Sequence, residues 1–374
     1  MKKLITCFAL CAILWTCSDS NQSEELINEG ESLTSRLFAP NGVDPIPNAR
    51  VALSKGNVMV SETLTEIDGT FTITGITEGE HTITIEKGLF STQRTFDGDA
   101  IEELINFILD NLPNIGVVTG SFDNIESVLF DIGLVDDETG EPLFDIIDGF
   151  STLDRLGASP HGHNHNVSVE NSRRDGILEP NVDFSFEELM SNPELMAQYD
   201  ILFLNCGLST NHLEQSSNLT NYVANGGILY ATDYAYEYLF DVTNNGEDYI
   251  TFLEPYKSGV SLQTEATILD NVLTEWLEEN YGISIDGTVL IDEFLPAWQV
   301  VDSSDENTVL PWFNGEVTYG TDDGDVTENK DLMFTFLHGE GAVFYSSFHT
   351  ENYDEGFSDV DRIMEYQVFN ISDY

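Results

Sequence analysis

Basic residues are scarce in this sequence. Thirteen Lys and Arg stand against 67 Asp and Glu, a formal net charge of −54 over 374 residues. Nucleic acid and anionic membrane surfaces would both be repelled by such a field, so nucleic acid is not expected as a partner. The acidity suits a solvated surface and identifies no ligand. Cysteine is scarcer still: beyond Cys7, Cys11 and Cys17, the chain carries Cys206 alone. Chemical signatures are also missing. There is no GxxxxGK[ST] phosphate loop, no GxGxxG dinucleotide turn, no GxSxG elbow and no HExxH helix. The acidic stretch "TDDGDVTEN" at 321–329 lacks the spacing and closing Glu of an EF-hand and reads as an exposed hairpin turn.

What is present begins at the N-terminus with "MKKLITCFALCAILWTC". Lys2 and Lys3 precede an uncharged apolar run, Leu4 to Trp15, which is too short to span a bilayer and has the form of a secretory signal over 1–16. The run ends at Cys17 as a bacterial lipobox does, and the polar, acidic "SDSNQSEE" follows at once. Together they resemble the surface-export signal of Bacteroidetes lipoproteins. The resemblance implies a lipid on Cys17, an outer-membrane anchor, surface exposure and a polar tether over 17–33. Cys206 would then be the sole thiol of the mature chain, leaving no intramolecular disulfide. Stability must come from apolar cores, and the length suffices for two.

Residues 34–96 carry short runs alternating at period two, "ARVALS", "VSETLT", "TFTITGI" and "HTITIEK", separated by turn residues. This pattern predicts a small antiparallel β-sandwich. Pro47-Asn48-Ala49-Arg50-Val51, Thr65, Asp68-Gly69, Phe71, Gly75-Ile76, Gly79 and Lys87-Gly88 resemble the carboxypeptidase regulatory-like domain, a transthyretin-like sandwich. The resemblance implies a spacer or a binding module related to carbohydrate-binding folds, without catalytic residues. In 97–113, Ile101, Leu104, Ile105, Ile108, Leu109 and Leu112 recur at helical spacing, which predicts a connecting helix.

From residue 114 to 374 apolar strand-like runs alternate with amphipathic segments. The alternation predicts an α/β domain, a parallel sheet with helices on both faces. Three stretches carry a resemblance to the class I glutamine amidotransferase-like fold, a flavodoxin-like doubly wound sheet. "YDILFLNCG" is similar to the third strand, "NGGILYATDYA" to the fourth strand and its elbow, and "VFYSSFHTE" to the segment that supplies a catalytic His and Glu. The resemblance places His349 and Glu351 at the base and its orienting carboxylate. It also places Asp233 where working enzymes carry the nucleophilic cysteine. A carboxylate there is no acyl-transfer nucleophile, so the match implies scaffold without the reaction.

Other candidates come from the residues themselves. Cys206 ends the third strand, at the ligand edge of such sheets, either as a small core residue or as a nucleophile. Asp233 could cap the helix that follows or contact a ligand. Ser347, His349 and Glu351 could be a structural polar cluster or an acid/base group. His161, His163 and His165 alternate in "SPHGHNHNVS", a spacing that could hold zinc or copper if the segment were a strand. His212 in "STNHLEQ" is expected at an exposed helix start. The reading that follows is a non-catalytic envelope lipoprotein that binds a glycan, a small molecule or a protein. No cofactor is expected beyond a possible divalent metal. The competing expectation is a divergent amide or ester hydrolase, with or without a metal ion, using Asp233, His349 and Glu351.

Overall fold

Period-two alternation needs a second sheet to bury its apolar face, and the N-terminal third of the chain provides one. A computed structural model of the chain describes residues 30–150, 178–239, 242, 249–253, 257–292, 294–350 and 357–371. Its first strands are β1 (Glu31–Phe38), β2 (Arg50–Lys55), β3 (Val58–Leu64), β4 (Thr70–Ile76), β5 (Glu80–Lys87), β6 (Phe90–Asp97) and β7 (Asn106–Ile108). They form two facing sheets, β4-β1-β7 and β3-β2-β5-β6. Leu33, Val51, Phe71, Ile73, Ile83 and Ile85 point into the space between them. The Asp68-Gly69 turn requires glycine: Gly69 has φ +78°, and a Cβ there would lie 2.4 Å from the Leu37 carbonyl oxygen.

The helix expected over 97–113 does not form. Gly98–Glu103 makes a 3-10 turn, and β7 then pairs in parallel with β1 through Arg36–Asn106, Leu37–Phe107 and Phe38–Ile108. Phe107 and Leu109 are buried while Asn106 and Ile108 face outward, which is strand alternation. The free edge of β1 outcompetes the local helical pattern because pairing satisfies its backbone and buries Phe107 against Phe71, with ring centroids 5.6 Å apart.

The remaining elements are β8 (Ile115–Val118), α1 (Ile125–Asp131), β9 (Asp145–Ile147), α2 (Phe186–Ser191), α3 (Pro193–Met196), β10 (Ile201–Leu204), α4 (Ser216–Ala224), β11 (Ile228–Thr232), β12 (Ile250–Phe252), β13 (Thr264–Ile268), α5 (Asn271–Tyr281), β14 (Thr288–Ile291), β15 (Val301–Ser304), β16 (Val309–Thr321), β17 (Gly324–His338), β18 (Gly341–Ser346) and α6 (Asp359–Asn370). Nine strands make one sheet in the order β14-β13-β16-β17-β18-β11-β10-β8-β9. From β9 to β18 the pairings are parallel; from β18 to β14 they are antiparallel. The sheet is therefore mixed rather than parallel throughout. β8, β10 and β11 are buried along their whole lengths, as strands covered on both faces must be. "TDDGDVTEN" is the turn of the long β16–β17 hairpin, as expected. No helix among the described residues is long and apolar enough to cross a membrane.

The sandwich is docked firmly on this sheet. One apolar core runs from Leu33, Val51 and Phe71 to Trp276 and Phe369. Phe90 of β6 meets Phe369 of α6 edge-on at 4.9 Å, and the Trp276 indole N–H donates to the Pro45 carbonyl at 2.8 Å. At the centre of the junction is Arg362. Its Nη1 lies 2.9 Å from Asp44 Oδ2 of the sandwich and 2.6 Å from Glu365 Oε2 of its own helix. Its guanidinium is also held between the rings of Tyr281 and Phe357, 4.2 Å and 4.0 Å from their centroids. Burial, reinforced by the Asp44 charge and opposed by Arg362, raises the Glu365 carboxyl from 4.5 to about 8.

The folded chain therefore binds a proton at Glu365 that the unfolded chain has released. The stability this contributes is complete below pH 4.5 and is lost as pH rises to about 8. Thermal unfolding followed across that window is expected to show wild type losing stability relative to Glu365→Gln, with a difference in slope of up to about 1.4 kcal/mol per pH unit. Parallel profiles for the two proteins would show that Glu365 is ionised in the fold.

Candidate functional site

Three adjacent parallel strands deliver their C-terminal ends to one place. β10 leads into Asn205 and Cys206, β11 into Asp233, and β18 through Ser347 and Phe348 into His349. The register is fixed by ladder pairing of Leu204 with Ala231 and of Thr232 with Ser346. The Cys206 N–H adds a bond to Thr232 Oγ1 at 2.9 Å. Asp233 has φ +38°, left-handed backbone that an aspartate tolerates better than most residues, at a sharp strand-to-helix turn. A 3-10 helix, Asp233–Leu239, follows directly.

Asp233, His349 and Cys206 converge. Asp233 Oδ2 lies 3.2 Å from His349 Nε2 and 3.6 Å from Cys206 Sγ. Its other oxygen accepts the Gln299 backbone N–H at 2.5 Å, so both carboxylate oxygens are engaged within the cluster. All three side chains have 0% exposure. Burial opposes a charge on His349, but the Cys206 sulfur and the Asp233 carboxylate outweigh it and hold the imidazole well above its usual pKa. Burial, with the Asp233 charge beside it, pushes the Cys206 thiol up to about 12, against the influence of His349. Burial thus disfavours the Cys206 thiolate, the form of a cysteine that attacks.

Residues that sequence reasoning did not single out hold this cluster. The segment carrying Gln299 lies over it: the Gln299 carbonyl accepts from the Tyr345 hydroxyl at 3.4 Å, and its side-chain amide donates to the Leu253 carbonyl at 2.5 Å. Asp123, just past β8, accepts from the Thr350 N–H at 2.9 Å and from the Thr350 hydroxyl, which fixes the residue next to His349. Glu126 on α1 is buried and accepts from Asn205 Nδ2 at 2.8 Å. Burial first, with the Asp123 charge adding, raises Glu126 from 4.5 to about 7. Its position one turn past a strand end was visible in "GSFDNIES", although nothing there marked the glutamate as buried.

The backbone is closely packed at the crevice between β8 and β10, where the strand order reverses and ligands often enter such sheets. A Cβ on Gly120 would lie 2.0 Å from the Cys206 carbonyl oxygen, and one on Gly207 would meet Phe122 and Ser121 at 2.8 Å. A cavity of about 240 Å³, lined by Tyr199, Asp200, Tyr222 and Gly227, opens at the opposite edge, where β10 and β11 begin. It contains none of the residues expected to carry chemistry.

His212 is not exposed as expected: it is buried, with its ring edge-on to Phe186 at 5.6 Å. Ser347 is buried at the end of β18. Cys17, Glu351 and the histidines 161, 163 and 165 lie outside the described residues.

No protein-family model matches the chain. No curated protein matches it either. Solved structures resemble it in part. A 5-hydroxyisourate hydrolase from Klebsiella pneumoniae, which is transthyretin-like, shares 16% identity over 21% of this chain and 84% of its own, with a TM-score of 0.17. A ThuA-like protein from Parabacteroides merdae, glutamine amidotransferase-like, shares 10% identity over 69% of this chain and 88% of its own, at a TM-score of 0.36. A cytoplasmic protein from Salmonella typhimurium shares 10% identity over 78% and 96%, at 0.34.

Replacing Asp233 tests the wiring of the cluster. Asp233→Ala leaves the His349 ring and the Gln299 N–H buried without their acceptor and is expected to cost about 3–5 kcal/mol in urea unfolding. Asp233→Asn keeps an acceptor and a residue that tolerates φ +38°, and is expected to cost clearly less. Equal losses would mean that the carboxylate charge contributes nothing.

Proposed function

We propose that this chain is a non-catalytic cell-envelope lipoprotein, anchored through Cys17 at the outer-membrane surface. Its α/β unit is a flavodoxin-like, class I glutamine amidotransferase-like domain that binds a ligand or partner without turning it over. The strand order supports the fold reading. Numbered along the chain, the five parallel strands stand in the order 2-1-3-4-5 of flavodoxin-like sheets. The observation that carries the functional reading is the condition of the elbow. Its strained backbone is kept, yet the side chain on it is a carboxylate engaged by His349 and the Gln299 N–H, with no exposure to solvent. A nucleophile must be ionised and reachable; here burial disfavours the thiolate, no part of the Cys206 side chain reaches solvent, and the His349 ring faces the elbow carboxylate.

A surface suited to a partner exists on the sandwich. β3 is an edge strand, and Val58, Met59 and Leu64 on it are more than half exposed. An apolar sheet edge of this kind takes an added strand from another chain.

Mature protein incubated with glutamine and with simple amide and ester substrates is expected to give no turnover above buffer. Turnover that disappears on His349→Ala would refute the non-catalytic reading in favour of a divergent hydrolase built on Asp233, His349 and Glu351. The anchor is tested separately: Cys17→Ala is expected to move the protein from the membrane fraction to the soluble fraction, and an unchanged membrane fraction would exclude lipidation at Cys17.

A further inference from the structure

We infer that Cys206, Asp233 and His349 form a binding site for a divalent cation of tetrahedral preference, with zinc the best match. The three offer one sulfur, one oxygen and one nitrogen ligand, and all three ligand atoms lie within 4.8 Å of one another. Zinc bonds of about 2.3 Å to sulfur and about 2.0–2.1 Å to nitrogen and oxygen, at tetrahedral angles, set ligand edges of roughly 3.3 Å for N–O and roughly 3.6 Å for S–O. The observed separations are 3.2 Å from His349 Nε2 to Asp233 Oδ2 and 3.6 Å from Cys206 Sγ to the same oxygen. Both edges that meet at Asp233 Oδ2 therefore already have the length that a bound ion would set.

The surroundings fit this role. The Gln299 N–H holds Asp233 Oδ1, leaving Oδ2 turned to the other two ligands. The Thr232 hydroxyl fixes the Cys206 backbone, and Asp123 fixes Thr350 beside His349. Supporting bonds of this kind are what orient ligands in metal centres. The mixed N, O and S set favours zinc over the hard cations, which take oxygen alone. Among the described residues no fourth His, Cys, Asp or Glu joins the group. On binding, any proton on the Cys206 sulfur and on the ligating nitrogen of His349 passes to solvent, and the metal takes the sulfur and nitrogen lone pairs.

The test uses the mature chain, expressed in zinc-supplemented medium and purified without a histidine tag. Elemental analysis is expected to find one zinc per chain after dialysis. Replacement by cobalt is expected to give a thiolate-to-metal charge-transfer band and the intense visible absorption of a tetrahedral site. The band identifies the sulfur, because Cys206 is the only cysteine after Cys17. Cys206→Ser, close to isosteric, is expected to abolish the band and weaken zinc binding by more than the roughly 10- to 100-fold that loss of a supporting residue costs. A variant with His161, His163 and His165 all changed to Ala is expected to keep both metal and band, and loss of both there would place the metal at those histidines instead. Wild-type protein that holds no stoichiometric zinc, shows no thermal shift with added zinc and gives no thiolate band would overturn the assignment. None of these readouts involves turnover, so such a failure would leave the non-catalytic reading standing.

Discussion

The carboxylate of Asp233 is the point on which the C-terminal edge of the sheet depends. One oxygen holds the covering segment through the Gln299 N–H; the other meets the imidazole of His349 and the sulfur of Cys206. Three strands and a loop thus terminate on a single side chain, in a place without solvent. A buried carboxylate is costly unless its partners are supplied, and here each partner comes from a different segment. The edge can form only when β10, β11, β18 and the 298–300 segment are all in place.

That dependence explains which features were legible in the sequence. The strands announce themselves: "ILFL" and "ILYAT" are uninterrupted apolar runs, and uninterrupted burial is what parallel strands need. The elbow could be placed because Asp233 stands at the end of such a run, and His349 follows another. Cys206 was legible as a strand-end thiol. What could not be read was that the three ends meet within a few ångströms, since their separations in the chain are 27 and 116 residues and only register brings them together. Gln299 was invisible for a different reason: its backbone N–H makes the contact, and any residue but proline offers one.

The misreadings share a cause. Residues 97–113 have helical spacing, yet the open edge of β1 recruits them as β7, a case of tertiary pairing overriding local pattern. Within the β16–β17 hairpin, Pro311 and Gly315 interrupt what would otherwise read as a strand, and the ladder absorbs them with register shifts at 311–314. His212 was assigned to solvent by its polar neighbours, but Phe186, 26 positions earlier, covers it. Arg362 was likewise unremarkable in "DVDRIMEY", although its charge links the two halves of the molecule through Asp44 while two rings of its own half hold it in place.

The placement of β1 has a mechanical consequence. It is the first described strand, it lies in the middle of its sheet, and it is hydrogen-bonded on both sides, to β4 along Glu31–Arg36 and to β7 along Arg36–Phe38. Ladder bonds stand across the strand direction. Tension entering at residue 30 and directed along the strand therefore loads these bonds together, in shear, instead of opening them singly. Behind them stand the shared core and the Arg362 junction, so the pull is passed to the large sheet rather than spent on the sandwich. The domain nearest the N-terminus of the described chain behaves as a stiff strut.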